Sequence, residues 1–156
     1  MNKFSYLHWL WKKDKDLCIP EIIIGNNSQI SGCYYHPTRD QILLSDEIVD
    51  LSKGVIFIDE SNIINEEHFS QTLAHEWRHH WQYFNTCEYY ECPFIFDDCD
   101  YYECIVRFFK YNYYELDALL FELKSHPPSS DSYLNGWLDE LSKANVYKKD
   151  MEFILS

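Results

Sequence analysis

The stretch from Asn65 to Phe84, NEEHFSQTLAHEWRHHWQYF, decides how this chain is read. Asn65 is a good helix N-cap, and the following Glu66 and Glu67 sit at the positive end of the helix dipole. At about 100° per residue, Phe69, Leu73, Trp77, His80 and Phe84 share a stripe about 80° wide, the expected core face. His75 and His79 point about 200° away from the centre of that stripe, with Thr72 and Glu76 beside them. A plain surface helix has one apolar face and one charged face. Two specialised faces mark a helix that carries a site.

His75-Glu76-Trp77-Arg78-His79 spells H-E-x-x-H on that helix. Residues i and i+4 stand one above the other, so both imidazoles can bind one Zn²⁺. Glu76 projects toward the place of a metal-bound water and can take its proton as the water attacks a carbonyl. With seven histidines in 156 residues, chance would supply about 0.03 such motifs. A catalytic zinc needs a third protein ligand and an open position. No histidine follows His80 until His126, which lies beyond the next helix beside Pro127-Pro128. The longer H-E-x-x-H-x-x-G-x-x-H form is absent, because position 82 is Gln and position 85 is Asn. The remaining candidates are acidic and lie in the segment from Tyr113 to Glu122, YYELDALLFE.

Working outward, the first third of the chain leans toward strand. PEIIIG (20–25) reads as a short buried strand and VIFI (55–58) as another. Gly32 to Ser45 reads as a hairpin, with arms Cys33–Tyr35 and Gln41–Leu44 around the turn HPTRD. After the H-E-x-x-H helix, a second long helix is expected from Asp100, where D-Y-Y-E resembles a capping box, to about Lys124. A shorter helix is expected around Trp137–Lys143, and the Phe4, Leu7, Trp11 spacing suggests one at the start. The expected class is α+β in a single domain over 1–156. A small twisted sheet of three or four strands would pack on the two long helices.

Thirteen basic against twenty-six acidic residues give a formal net charge of −13. So acidic a surface repels phosphate backbones and anionic lipid, which argues against nucleic-acid and membrane partners. No apolar run approaches the roughly 18 residues of a spanning helix. The opening MNKFSYLHWLWKKDKD is too short and interrupted in its apolar part for a secretory signal, so a cytoplasmic protein is expected. Disorder is excluded by an aromatic content of 18%. Cys87, Cys92, Cys99 and Cys104 belong to an acidic, tyrosine-rich insertion at about 86–104, where CEYYEC and CDYYEC repeat one hexapeptide. Free thiols, a structural metal site and disulfides are all compatible with that spacing.

Thr72-Leu73-Ala74-His75-Glu76-x-x-His79, followed by Glu115-x-x-Ala118-x-x-Phe121, resembles the gluzincin zinc metallopeptidases. The likeness is greatest to their minimal ImmA/IrrE-type branch, common on phages and mobile elements. It spans about residues 32–124, since the segment GCYYHPTRDQILLS also resembles the tyrosine-bearing turn and strand that precede the active-site helix there. The resemblance implies Zn²⁺ held by His75, His79 and Glu115, with Glu76 as general base. It also implies a protein or peptide substrate bound by strand addition to a sheet edge such as Gln41–Leu44. The chain departs from the family at Leu119, where many members carry an Asp or Asn that orients a ligand histidine, and in its cysteine insertion.

Helix phase agrees with Glu115, because Asp117 points about 200° away, on a side shared with Lys110 and Lys124 that reads as solvated. The expectation is therefore a zinc-dependent metallopeptidase. Two alternatives are a catalytically silent zincin-fold binding protein and a zinc hydrolase of a non-peptide amide or ester. Retention of Glu76 argues against the first of these. Among the other residues, His80 reads as a core histidine, His36 as solvated, His68 as a surface residue and Arg78 as a surface ion-pair partner. An oxyanion-stabilising Tyr or His is expected, with Tyr83, Tyr111, Tyr113 and Tyr114 all near.

Overall fold

Runs of Ile and Val bounded by Gly, Asp and Ser set the strands of the N-terminal part, as their branched side chains favour a pleated, half-buried surface. In a computed structural model, residues 17–26, 30–44, 46–85 and 100–146 are described. The chain divides into two units, residues 1–87 and 88–156, and is α+β in class.

The first unit contains β1 (Glu21–Gly25), β2 (Gly32–Tyr35), β3 (Gln41–Leu44), β4 (Glu47–Asp50) and β5 (Val55–Asp59). A 3₁₀ turn at Glu60–Asn62 then leads to α1 (Glu66–Asn85). β5, buried throughout, is the centre of a mixed sheet ordered β1-β5-β2, parallel to β1 and antiparallel to β2. Strand alternation sends Ile56 and Ile58 to one face together with their cross-strand partners Ile22, Ile24, Gly32 and Tyr34. α1 packs on this face and buries Leu73 and Trp77 completely. Burial of side chains this size is worth about 1.5–3 kcal/mol each relative to exposure. Val55 and Phe57 point the other way, into a core with Ile23, Tyr35, Ile42, Leu44, Val49 and Leu51.

The hairpin lies one strand later than the turn chemistry of HPTRD suggests. β3 pairs with β4 as a separate two-stranded ribbon, Leu44 opposite Glu47, and Asp46 takes φ 64° in the connection. Asp tolerates that left-handed conformation. Gly32–Tyr35 pairs with β5 instead, so the helix-backed sheet has three strands, within the three or four expected, and the two-stranded ribbon is additional. It follows that Gln41–Leu44 is no edge of the helix-backed sheet, whose edges are β1 and β2.

The second unit contains α2 (Tyr101–Tyr111), α3 (Tyr113–Ser125) and α4 (Leu134–Lys143). Asp100 caps α2 as expected, its carboxylate accepting from the Glu103 backbone N–H at 2.8 Å. The single long helix expected over 100–124 is broken at Asn112, which adopts φ −127°, ψ 90°. Its side chain accepts from the Glu115 N–H at 3.3 Å and so caps α3. Short polar side chains compete with helix continuation in this way. The core of this unit joins Ile105, Phe109, Leu116, Leu119, Leu120, Leu134 and Leu141. Among the described residues no helix is long and apolar enough to cross a membrane. The expected opening helix and Cys87, Cys92 and Cys99 lie outside the described residues, whereas Cys104 is buried and disulfide-bonded.

Candidate metal centre

α1 begins at a firm N-terminus. Asn65 Oδ1 accepts from the His68 N–H at 2.8 Å, and His68 Nδ1 accepts from the Ile64 N–H at 3.0 Å. A histidine thus stands where a capping box usually has Glu or Gln, and it accepts from the N–H one residue before the cap. His68 is therefore buried, not on the surface as expected, and burial holds its pKa below the ordinary histidine value.

Two turns further on, the rings of His75 and His79 meet edge to face, with centroids 4.9 Å apart and planes at 75°. His79 is buried and His75 half-buried. Ligand atoms of His75, His79 and Glu115 all lie within 4.8 Å of one another. Donors around a tetrahedral ion with bonds of about 2.0–2.2 Å stand roughly 3.4 Å apart. Two imidazoles and one carboxylate form a donor set that can hold a metal. Glu115 is half-buried in the first turn of α3. Asp117 does not belong to this group; it is buried, contrary to the solvated position expected from its helix phase. α3 is enclosed on most sides, because Leu116, Ala118, Leu119, Leu120 and Glu122 are buried with it.

Glu76 is buried next to the first ligand, and its surroundings follow from a glycine. A Cβ at Gly32 would stand 2.7 Å from Thr72 Cγ2 and 3.2 Å from Glu76 Cγ. The missing side chain lets the β2 backbone come up against the carboxylate-bearing face of α1. His79 Nδ1 meets Gln82 Oε1 at 2.8 Å in a buried contact. Gln82, at the position where the longer zinc motif has glycine, lies at i+3 from His79, the spacing at which helix side chains meet.

His80 faces away from this group. It is fully buried, its Nδ1 is 2.7 Å from Tyr34 Oη, and its Nε2 donates to the Cys18 carbonyl at 2.7 Å. The hydroxyl then donates to Nδ1 of a neutral ring, and burial lowers the pKa accordingly. His80 is thus a satisfied core histidine. His36 is exposed, as expected, and stacks on Tyr83 with centroids 5.1 Å apart and planes at 10°. Tyr83 lies one turn beyond His79, so the pair stands at the rim of the same helix face. The Arg78 guanidinium sits 3.9 Å over the Trp81 ring. His126 caps the C-terminus of α3, and burial holds its pKa down. In the second unit, an open cavity of about 730 Å³ is lined by Tyr101, Tyr102, Arg107 and Lys110 among others, and by none of the three possible ligands.

Comparison of the chain with protein-family models, with curated proteins and with solved structures finds no match.

Proposed function

We propose that this protein is a zinc-dependent metallopeptidase. The observation that carries the reading is the convergence of His75, His79 and Glu115 in one group, with Glu76 next in sequence to the first of them. Two histidines and a glutamate, with room for a fourth ligand, are the donor set of a catalytic zinc; structural sites are usually closed by four protein ligands, commonly cysteines. Bound there, zinc supplies Lewis acidity and brings the pKa of water down to near 7.

The remaining work belongs to the chain's own residues. Glu76 accepts a proton from the attacking water and delivers it to the departing amine nitrogen. An extended peptide substrate would lie along β2, the sheet edge whose backbone Gly32 brings against Glu76. Extended main chain is the form that a strand edge recognises, which favours a peptide over a small amide or ester. His36, exposed and held flat on Tyr83, is a candidate donor for a substrate carbonyl.

Cleavage of a broad peptide library by the purified protein, run with and without chelator and beside Glu76→Gln, tests the reading. Cleavage that chelator abolishes, that zinc restores and that falls by several orders of magnitude in the variant is the expected result. Turnover unaffected by chelator would remove the metal from the reaction.

A further inference from the structure

We infer that Gln82 is the positioning residue of the metal group: it fixes the tautomer and ring orientation of His79 and, being uncharged, leaves that ligand a moderate rather than a strong donor. The inference rests on the metal reading above.

The ring of His79 is withdrawn from bulk water, so each of its nitrogens needs a defined partner. Nδ1 lies 2.8 Å from Gln82 Oε1, and an amide oxygen only accepts, so the ring proton resides on Nδ1. The lone pair is then on Nε2, the atom left to ligate a metal. Gln82 is itself only 1% exposed, so packing holds its side chain as well. Residues three apart on a helix are neighbours, which means that α1 alone carries both the ligand and its support. Leu119, after Ala118 on α3, is an apolar side chain and can accept no such bond.

The chemistry of the acceptor sets the strength of the ligand. A carboxylate hydrogen-bonded to Nδ1–H draws the proton toward itself and makes the imidazole a stronger donor, through a charge-assisted bond. A neutral amide orients the ring equally well and pulls less. His79 therefore binds zinc in the right direction but less tightly than a carboxylate-supported histidine would, and the ion keeps more of its Lewis acidity.

Two measurements test this. Nitrogen-15 NMR of the metal-free parent protein should show His79 protonated at Nδ1 and bare at Nε2; protonation at Nε2 would overturn the inference without any variant. Competition with a chromophoric chelator then gives zinc affinity for the parent, Gln82→Leu and Gln82→Glu, with circular dichroism as the check on folding. Gln82→Leu should bind about 10- to 100-fold more weakly. Gln82→Glu should bind at least as tightly as the parent, which a merely structural role for this side chain does not explain. Gln82→Leu within about twofold of a zinc-binding parent, or Gln82→Glu as weak as Gln82→Leu, overturns the role of Gln82 alone. A parent that takes up no zinc overturns the metal reading and, with it, the purpose of Gln82.

Discussion

Gly32 and Glu76 are tightly packed: a Cβ at position 32 would lie 3.2 Å from Glu76 Cγ. Thr72 closes the other side, its Cγ2 only 2.7 Å from the same point. Threonine is stiff at χ1 and cannot swing aside cheaply. The burden of any added methyl therefore falls on the β2–α1 spacing and on the glutamate.

Gly32→Ala should thus destabilise the protein by about 1–3 kcal/mol, the usual cost of overpacking. It should lower peptide cleavage by more than the loss of folded protein accounts for, while zinc content stays at the parent value. Thermal unfolding and metal analysis on one preparation decide it. Parent-like stability and turnover would mean that the strand and helix separate freely at this point.

His68 makes stability depend on pH. Its Nδ1 must remain bare to accept the Ile64 N–H, and burial holds its folded pKa below the ordinary histidine value of 6.5. The unfolded chain therefore takes up the proton first as pH falls. The contribution of this residue is complete above about pH 6.5 and is lost progressively below it. His68→Gln offers an oxygen acceptor at the same position without a titrating nitrogen. The melting temperature of metal-free protein should fall less between pH 7.5 and 5 in the variant than in the parent. Equal slopes would show that His68 contributes nothing to the pH dependence.

Glu115 and Asp117 should separate metal binding from folding. Glu115→Ala removes a carboxylate from the group of three and should weaken zinc binding strongly at little cost in stability. Asp117→Ala should leave zinc affinity within a few-fold of the parent. Because Asp117 is buried, this variant should instead cost about 1–3 kcal/mol by stranding its polar partners. The reverse pattern, measured by zinc titration and chemical denaturation, would reassign the third ligand.

The parts of this protein legible in its sequence are those where one signal dominates. The periodicity of α1, its Asn65 cap and the H-E-x-x-H spacing all agree, and the helix runs Glu66–Asn85 close to where they place it. Competing signals concealed the rest. β4 escaped because EIVD is short and flanked by acids, with Ile48 turned outward at 75% exposure instead of inward. HPTRD has the chemistry of a hairpin turn, yet the partner β2 finds is β5, with Tyr35 opposite Val55. The apolar pattern runs straight through Asn112, so the break before α3 depends on one side chain choosing a cap over helix continuation. Burial of His68 and Asp117 depends on packing that periodicity within one helix does not report.

Zinc stoichiometry of the freshly purified protein is the decisive measurement for the metal centre. About one zinc per chain is expected in the parent, retained in Glu76→Gln and lost in a His75→Ala, His79→Ala double variant that still folds. A folded parent protein that holds no zinc, or a double variant that keeps it, would contradict the assignment of His75, His79 and Glu115 as the metal centre.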